Sequence, residues 1–588
     1  MSKYLLHIFT HFGKYIYKIF YKVEAKMDFK KIIKNFIWKP NIEYDFSIPN
    51  SNETVDNYVS DDNLNMPQNV FSDISLNTDF IKSEYNLLIN SDIILREFVI
   101  NVKNKQYKAL LLFVDGMVDS DLINNYILKP LMLKNKANSF NEDIYMTSNS
   151  IKSNKVKIKK IKKINIVDYI SNSLLPQNSV SKEKSFEKLF SGVNSGNCAL
   201  FVDTLNFAFD IEVKGFKQRS IGTPNTEVVI KGPQEAFVEN LRTNTSLLRR
   251  IINNENLVIE NIDIGNITKT KCAVCYIKNI TNDDLVVEVK YRLNNLKIDS
   301  LLSSGQLEQL LVNNNANMGI PETLSTERPD KASKYLLQGR VVVIVNGSPF
   351  ALVMPACLID FMSSPEDTNL KPYLANFLKM IRILCAVLTL LLPSVYVAVT
   401  SFHQEILPTE LLNSILISRE SVPFPVIFEI LIMEFSFELI REAGLRVPSP
   451  IGSTIGIVGA LVLGQAAVSA NIVSPILIII VALTGISSFA IPDFLFGFHL
   501  RVFRFLFILL GYMAGFLGIA VGLFVYTSVL CNMKSFGVSF TSPFAPAVNS
   551  KGNSYFIPPI WKQEYRATYL DPKKEKAQEK ISMKWKYK

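Results

Sequence analysis

Hydrophobic and polar positions divide this chain into two unlike parts. No charged residue occurs from Val447 to Pro492, and none from Phe505 to Met533. A bilayer core takes on the order of 20 apolar residues per helix, so each stretch is long enough to cross at least once. Around them the pattern predicts five spans. These are Ile381 to Phe402, a segment from Leu411 to Ile440 interrupted by Val422-Pro423-Phe424-Pro425, Ile451 to Ala470, Val473 to Phe489, and Phe505 to Cys531. The prolines must break or kink any helix they fall in.

Ahead of these spans the periodicity changes from continuous to alternating. Tyr107 to Val114 reads as a strand ending in Asp115-Gly116, and Leu122, Ile123, Tyr126, Ile127 and Leu131 recur at helical spacing. Further on, Asn206 to Val213, Leu257 to Ile264 and Thr270 to Ile277 read as strands, with helices over Glu235 to Ile252 and Asn282 to Leu296. Pro329 opens a helix that Gly339 closes. Val341 to Val345, Asn346-Gly347 and Pro349 to Met354 form a hairpin signal. The expected fold is multi-domain: a cytoplasmic α/β (α+β) region of two subdomains, then an α-helical polytopic transmembrane domain. Its parts are a basic leader and polar linker (1–70), a first subdomain (71–134), a Lys/Asn/Ser-rich insertion (135–185), a second subdomain (186–370), the helical domain (371–535) and a basic tail (536–588).

Composition sharpens this only in places. The 588 residues carry 63 Lys plus Arg against 53 Asp plus Glu, a net charge of +10. The excess lies in two tails and a linker with no aromatic-interleaved face, so it points to anionic lipid rather than nucleic acid. Of the six cysteines, Cys272 and Cys275 make a C-x-x-C, but on a strand residues three apart face opposite ways, so no zinc site is expected. The four histidines do not cluster, and no phosphate loop, hydrolase elbow or paired catalytic carboxylate spacing appears. Neither an enzyme nor a cofactor is expected. Met1 to Pro40 lacks the apolar core of a secretory signal, which keeps the N-terminal region cytoplasmic with Lys379 and Arg382 at the inner end of the first span. Five crossings then place the basic tail outside, against the usual charge bias.

Ionisable groups inside a membrane are costly and mark function or pairing. Glu429, Glu434 and Glu438 lie in an otherwise apolar segment, and Glu434, Glu438 and Arg441 share one helical face. In an oligomer, rings of these glutamates would line a cation-attracting pore. The alternative is that Glu438 pairs with Arg441 or Arg446 and locks helices together. Gly452, Gly456, Ala460 and Gly464 recur every fourth residue, a small-residue stripe for close helix contact, and Gln465 adds an amide that can bond between helices. Arg441, Glu442 and Arg446 through Gly452 form the candidate coupling loop.

Several long blocks resemble one family. They are RSIGTPNTEVVIKGPQEAFVENLRTNTSLLRR (Arg219 to Arg250), TERPD (Thr326 to Asp330), LQGRVVVIVNGSPFALVMP (Leu337 to Pro355), EILPTELLNSILISRESVPFP (Glu405 to Pro425), FELIREAGLRVPSPIG (Phe437 to Gly452) and GALVLGQAAVSANIVSP (Gly459 to Pro475). In this order they resemble the A subunits of the GerA family of spore germination proteins. The resemblance implies a nutrient receptor subunit in the inner membrane of a bacterial endospore, working with a transporter-like B subunit and a lipoprotein C subunit. It further implies a homo-oligomeric, ligand-gated cation channel. Two alternatives stay open: an accessory channel resembling stage V sporulation protein AF, and a membrane-anchored scaffold or signalling subunit.

Overall fold

The computed structural model describes residue 47 and residues 69–102, 105–132, 167, 170–177, 179–215, 223–224, 226–312, 319–446, 464–547 and 556–578. Two five-stranded antiparallel sheets with helices come first. Helix α1 (Ile74–Glu84) starts where the Asp73 side chain accepts from the Ser75 amide. Strands β1 (Ile93–Val102) and β2 (Lys105–Val114) pair over their whole length. A helical stretch from Ser120 to Met132 follows, π-helical over Ile123–Leu128. Then come β3 (Val180–Glu183), α2 (Phe186–Asn194), β4 (Asn197–Val202) and β5 (Ala208–Glu212). The sheet runs β1-β2-β4-β5-β3.

The second unit contains α3 (Leu241–Ile251), β6 (Leu257–Ile264), β7 (Thr270–Ile277), α4 (Asp283–Asn294) and α5 (Ser304–Leu311). It continues with β8 (Leu324–Thr326), α6 (Pro329–Leu337), β9 (Val341–Val345) and β10 (Ala351–Met354), in the sheet order β6-β7-β9-β10-β8. Strands β6 and β7 lie where the strand pattern predicts them, and β9 and β10 where the hairpin signal does. Cys272 and Cys275 face the two different cores of this sheet. Helix α3 starts at Leu241 rather than Glu235, because Asn240 caps it and Asn244 ties down Val238. The first sheet also reaches beyond residues 71–134. β3 to β5, read as insertion and second subdomain, complete it through the β2–β4 pairing. Periodicity reports strands but not their partners.

The helical part holds α7 (Pro372–Phe402), α8 (Thr409–Arg419), α9 (Val426–Arg446), α10 (Pro475–Phe489) and α11 (Phe494–Asn532). Among the described residues two of these, α7 and α11, are long and apolar enough to cross a membrane. The expected span Phe505 to Cys531 is not one crossing. Ala514 and Gly515 leave helical geometry, with Gly515 at φ +58. In a straight helix His499 and Tyr526 would stand about 40 Å apart, yet His499 Nε2 and the Tyr526 hydroxyl are 3.1 Å apart. So α11 is a hairpin of two arms. They are roughly 30 and 25 Å long at 1.5 Å per residue, each close to the thickness of a bilayer core. A Cβ on Gly518 would meet the Leu510 carbonyl oxygen, so the arms touch where glycine allows it. His403, just past α7, sits against the apex at Gly515.

Both ends of this bundle return to the second unit. Arg382 near the start of α7 pairs with Asp367 at 2.6 Å. Phe361 contacts Phe496 at one foot of the hairpin and Phe540 beyond the other. A short ribbon, β11 (Lys534–Ser535) and β12 (Val538–Ser539), follows α11, and residues 556–578 run back over the second unit. Five crossings would leave the C-terminal residues at the far end. The folding-back of α11 places them at the same end as the sheets. Large apolar side chains stay exposed along the bundle, among them Leu384, Val387, Ile479, Ile486, Leu517 and Phe524.

Candidate functional site

The prolines at 423 and 425 end α8 and release the chain into α9, which carries Glu429, Glu434, Glu438 and Glu442. Glu429, fully buried, sits near the start, where the Arg419 Nε lies 3.3 Å away and the Ser474 amide donates at 3.2 Å. Ser474 is the cap of α10, so this carboxylate sits at a helix N-terminus, where its charge is favoured.

One face further along α9 meets the first arm of α11. Glu434 and Arg504 form an ion pair at 2.8 Å, and neither side chain is exposed at all. Arg504 also donates to Glu438 at 3.1 Å, and Arg441 and Arg501 approach the same carboxylate at 3.4 and 3.5 Å. Arg441 lies over the Phe489 ring at 4.4 Å, and Arg501 over Phe498 at 5.3 Å. Three guanidinium groups therefore enclose two carboxylates. The cluster carries an excess of one positive charge, and the Arg504 Nε and Nη1 atoms have no hydrogen-bond partner. Such an arrangement holds α9 against α11 and neutralises both carboxylates.

Of the residues singled out from sequence, Glu434, Glu438 and Arg441 come together and Glu429 stands apart. Glu442 is exposed. Gly464 packs on Ile478, and Gln465 is exposed. Arg446 ends α9, its side chain outside the described residues, as are Gly452 and Gly456. The predicted Glu438–Arg441 contact is present, but the nearer partner is Arg504, which with Arg501 directly precedes the expected span Phe505 to Cys531. Two arginines three residues apart in an apolar segment are themselves a signal, because such charges demand counter-charges on another helix.

A second polar feature lies between the sheet units, a cleft of about 790 Å³ bordered by Asp92, Asp115, Asp119, Arg242 and Lys271. Arg242 pairs with Asp115 across it. Arg249, almost wholly buried, joins the units through Asp92 at 2.7 and 2.8 Å and Asn90 at 3.3 Å.

Comparison with known proteins places this architecture. Residues 79–569 match the family described as Bacillus/Clostridium GerA spore germination protein. The chain is 40% identical over 479 residues to Spore germination protein KA of Bacillus subtilis (strain 168), covering 81% of this chain and 83% of that protein. It is 36% identical over 504 residues to Spore germination protein B1 of the same organism, covering 85% and 98%. A further relative, 33% identical over 471 residues (80% of this chain, 86% of that protein), is the Bacillus subtilis uncharacterized membrane protein YfkQ. Its name accords with the long apolar helices of this chain. Among solved structures, the N-terminal domain of the A subunit of the Bacillus megaterium spore germinant receptor GerK3 is 28% identical. It covers 49% of this chain and 97% of that one, with a TM-score of 0.35. This chain belongs to the GerA family of spore germination proteins, among the homologues of the germinant receptor A subunit.

Proposed function

We propose that this protein is the A subunit of a nutrient germinant receptor and forms, as a homo-oligomer, a gated cation channel of the spore inner membrane. The sheet units lie on the core side, and the B and C subunits are its partners. One observation carries the reading: two glutamates on α9 in an apolar bundle, held by arginines of α11. With the arginines in place the carboxylates are neutralised and the path is closed. Parting α9 from α11 frees Glu434 and Glu438 to attract cations. Germinant bound at the B subunit shifts the equilibrium only by its differential affinity for the two arrangements.

The test is cation flux through the purified protein in liposomes, with and without its partners and candidate nutrients. Gated flux that Glu434→Gln alters is the expected result. The complete burial of Glu434 and Arg504 favours a second reading, a plain structural lock. Unchanged conductance and selectivity after charge removal at both glutamates, in assembled protein, would leave that lock as the explanation.

A further inference from the structure

We infer that the two sheet units are duplicates of one fold, and that comparing the copies assigns Arg340, Asp360 and Tyr569 to a joint that positions the last helix of the bundle. Both units run α-β-β-α-β-α-β-β with the same strand order, the second adding α5. The likeness extends to single hydrogen bonds. Helices α1 and α3 each have 11 residues. In each a buried asparagine folds back on the residue six before it: Asn77 bonds both backbone groups of Phe71, and Asn244 both of Val238.

Helices α2 and α6 each have 9 residues and are followed by a glycine at φ +96, Gly196 and Gly339. Beyond β4 and β9 a residue of positive φ donates its amide back to the first helix's entry, Thr204 to Ser72 at 2.9 Å and Gly347 to Glu239 at 2.8 Å. The registers agree as well. Leu112 faces Ala199 as Cys275 faces Val342, and Lys182 faces Phe209 as Ser325 faces Leu352. General α+β packing fixes layers but not matching side-chain bonds at matching positions along the chain.

The copies separate what the fold needs from what was added. Arg340 stands where the first unit has Asn197, and Asn197 bonds only its neighbour strand, through Asp210 at 3.1 Å. The unit is therefore built without an arginine there. Arg340, 1% exposed, donates to the Pro355 carbonyl oxygen at 2.8 Å and to both oxygens of Asp360 at 2.7 and 3.1 Å. Its guanidinium lies over the Tyr335 ring at 4.7 Å, and its remaining hydrogen bond goes to the Tyr569 hydroxyl at 3.4 Å.

Tyr569 arrives on the C-terminal strap. Next to it Leu570 is fully buried, Asp571 accepts from Asn282 at 3.1 Å, and the Lys573 amide donates to Ile280 at 3.0 Å. At the other end the ribbon after α11 is pinned where Ser535 donates to the Glu322 carbonyl oxygen at 2.6 Å. The end of the second arm of α11 is thus tied through the ribbon to the segment that carries Asp360, where the Leu358 amide donates to the Phe540 carbonyl oxygen at 2.8 Å, and the strap closes on the other side of the Arg340–Asp360 pair. As positioning residues, Arg340, Asp360 and Tyr569 hold that arm in register with the sheet unit; that this register controls gating rests on the channel reading above.

The test uses the full chain in detergent or nanodiscs. Two variants are compared with wild type: Arg340→Asn with Asp360→Asn, which leaves no buried charge unpaired, and Tyr569→Ala, which changes no residue of the sheet unit itself and removes only the strap's side chain from its core. Hydrogen exchange should show the Leu570 and Lys573 amides losing protection by about tenfold or more in both, while the Val343 and Leu352 amides stay protected. A spin label on Cys531, exposed at the end of α11, should gain mobility in both. Unchanged strap protection, or a released strap with an unchanged Cys531 label, overturns the joint. Absence of flux in wild-type liposomes would sink the channel reading alone, since neither readout here depends on flux.

Discussion

Arg504 holds two carboxylates at once, and removing it strands Glu434 without solvent. Arg504→Met should destabilise the protein by about 3–5 kcal/mol, the cost of breaking a buried pair from one side. The double change with Glu434→Met should recover part of that loss; strictly additive losses in thermal unfolding would show the two uncoupled. A second buried acid lies in the sheet region. Burial pushes the Glu308 carboxyl up to about 7, against the opposing pull of the Thr323 hydroxyl 2.8 Å away and with Asp493 adding to the rise. The fold favours the neutral form, so this group's contribution is greatest below its ordinary 4.5 and declines as pH rises through about 7. Glu308→Gln should flatten that decline and stabilise the protein above pH 7 by up to about 3 kcal/mol. Melting curves from pH 4 to pH 8 that match wild type would refute it. Residue chemistry of this kind was half legible in the sequence. Glu434 and Glu438 announce themselves in an apolar run, but which arginine meets them depends on a helix 66 positions away.

Helix α11 shows where pattern reading stops at the scale of elements. Its 39 residues carry charge only at Arg501 and Arg504 near the start, and neither charge nor proline marks the break. The turn is made by Gly515 in a backbone conformation that side chains resist, with His403 pressed against the place a Cβ would take. Gly515→Ala should therefore cost about 1–3 kcal/mol and loosen the hairpin apex. The check is thermal stability together with labelling of a cysteine placed at Met513, where wild-type values would argue against a strained turn. By contrast β6, β7, β9 and β10 were readable because alternation or a bounded apolar run is a local property. The first sheet was not closed from sequence, because its strands pair across an insertion that carries no signal of its own.

For the whole molecule, the decisive feature is that the hairpin brings the chain back. Single cysteines introduced at Leu88 in the first unit and at Gln578 should be labelled from the same face of a sealed vesicle. Labelling from opposite faces would refute the folded-back bundle. The sequence could not decide this, since an even or odd count of crossings turned on one unmarked bend. Arg249 is the matching feature between the sheet units. Arg249→Met should loosen the two units by leaving Asp92 without its partner, seen as faster hydrogen exchange at Ser91 and Ile259, whose backbones are joined at 3.1 Å.

The strap has a consequence for how the protein is made. Domains fold as they leave the ribosome, the N-terminal ones first. Both sheets and helices α1 to α11 are complete before Tyr569 is synthesised, so the Arg340–Asp360 pair lacks its Tyr569 contact while the bundle inserts. Fastening of the strap to the second unit therefore follows synthesis of the bundle. A chain that stops short of Leu570 would carry both sheets and the described bundle helices and still lack this fastening, and a protease that recognises the open edge would remove it.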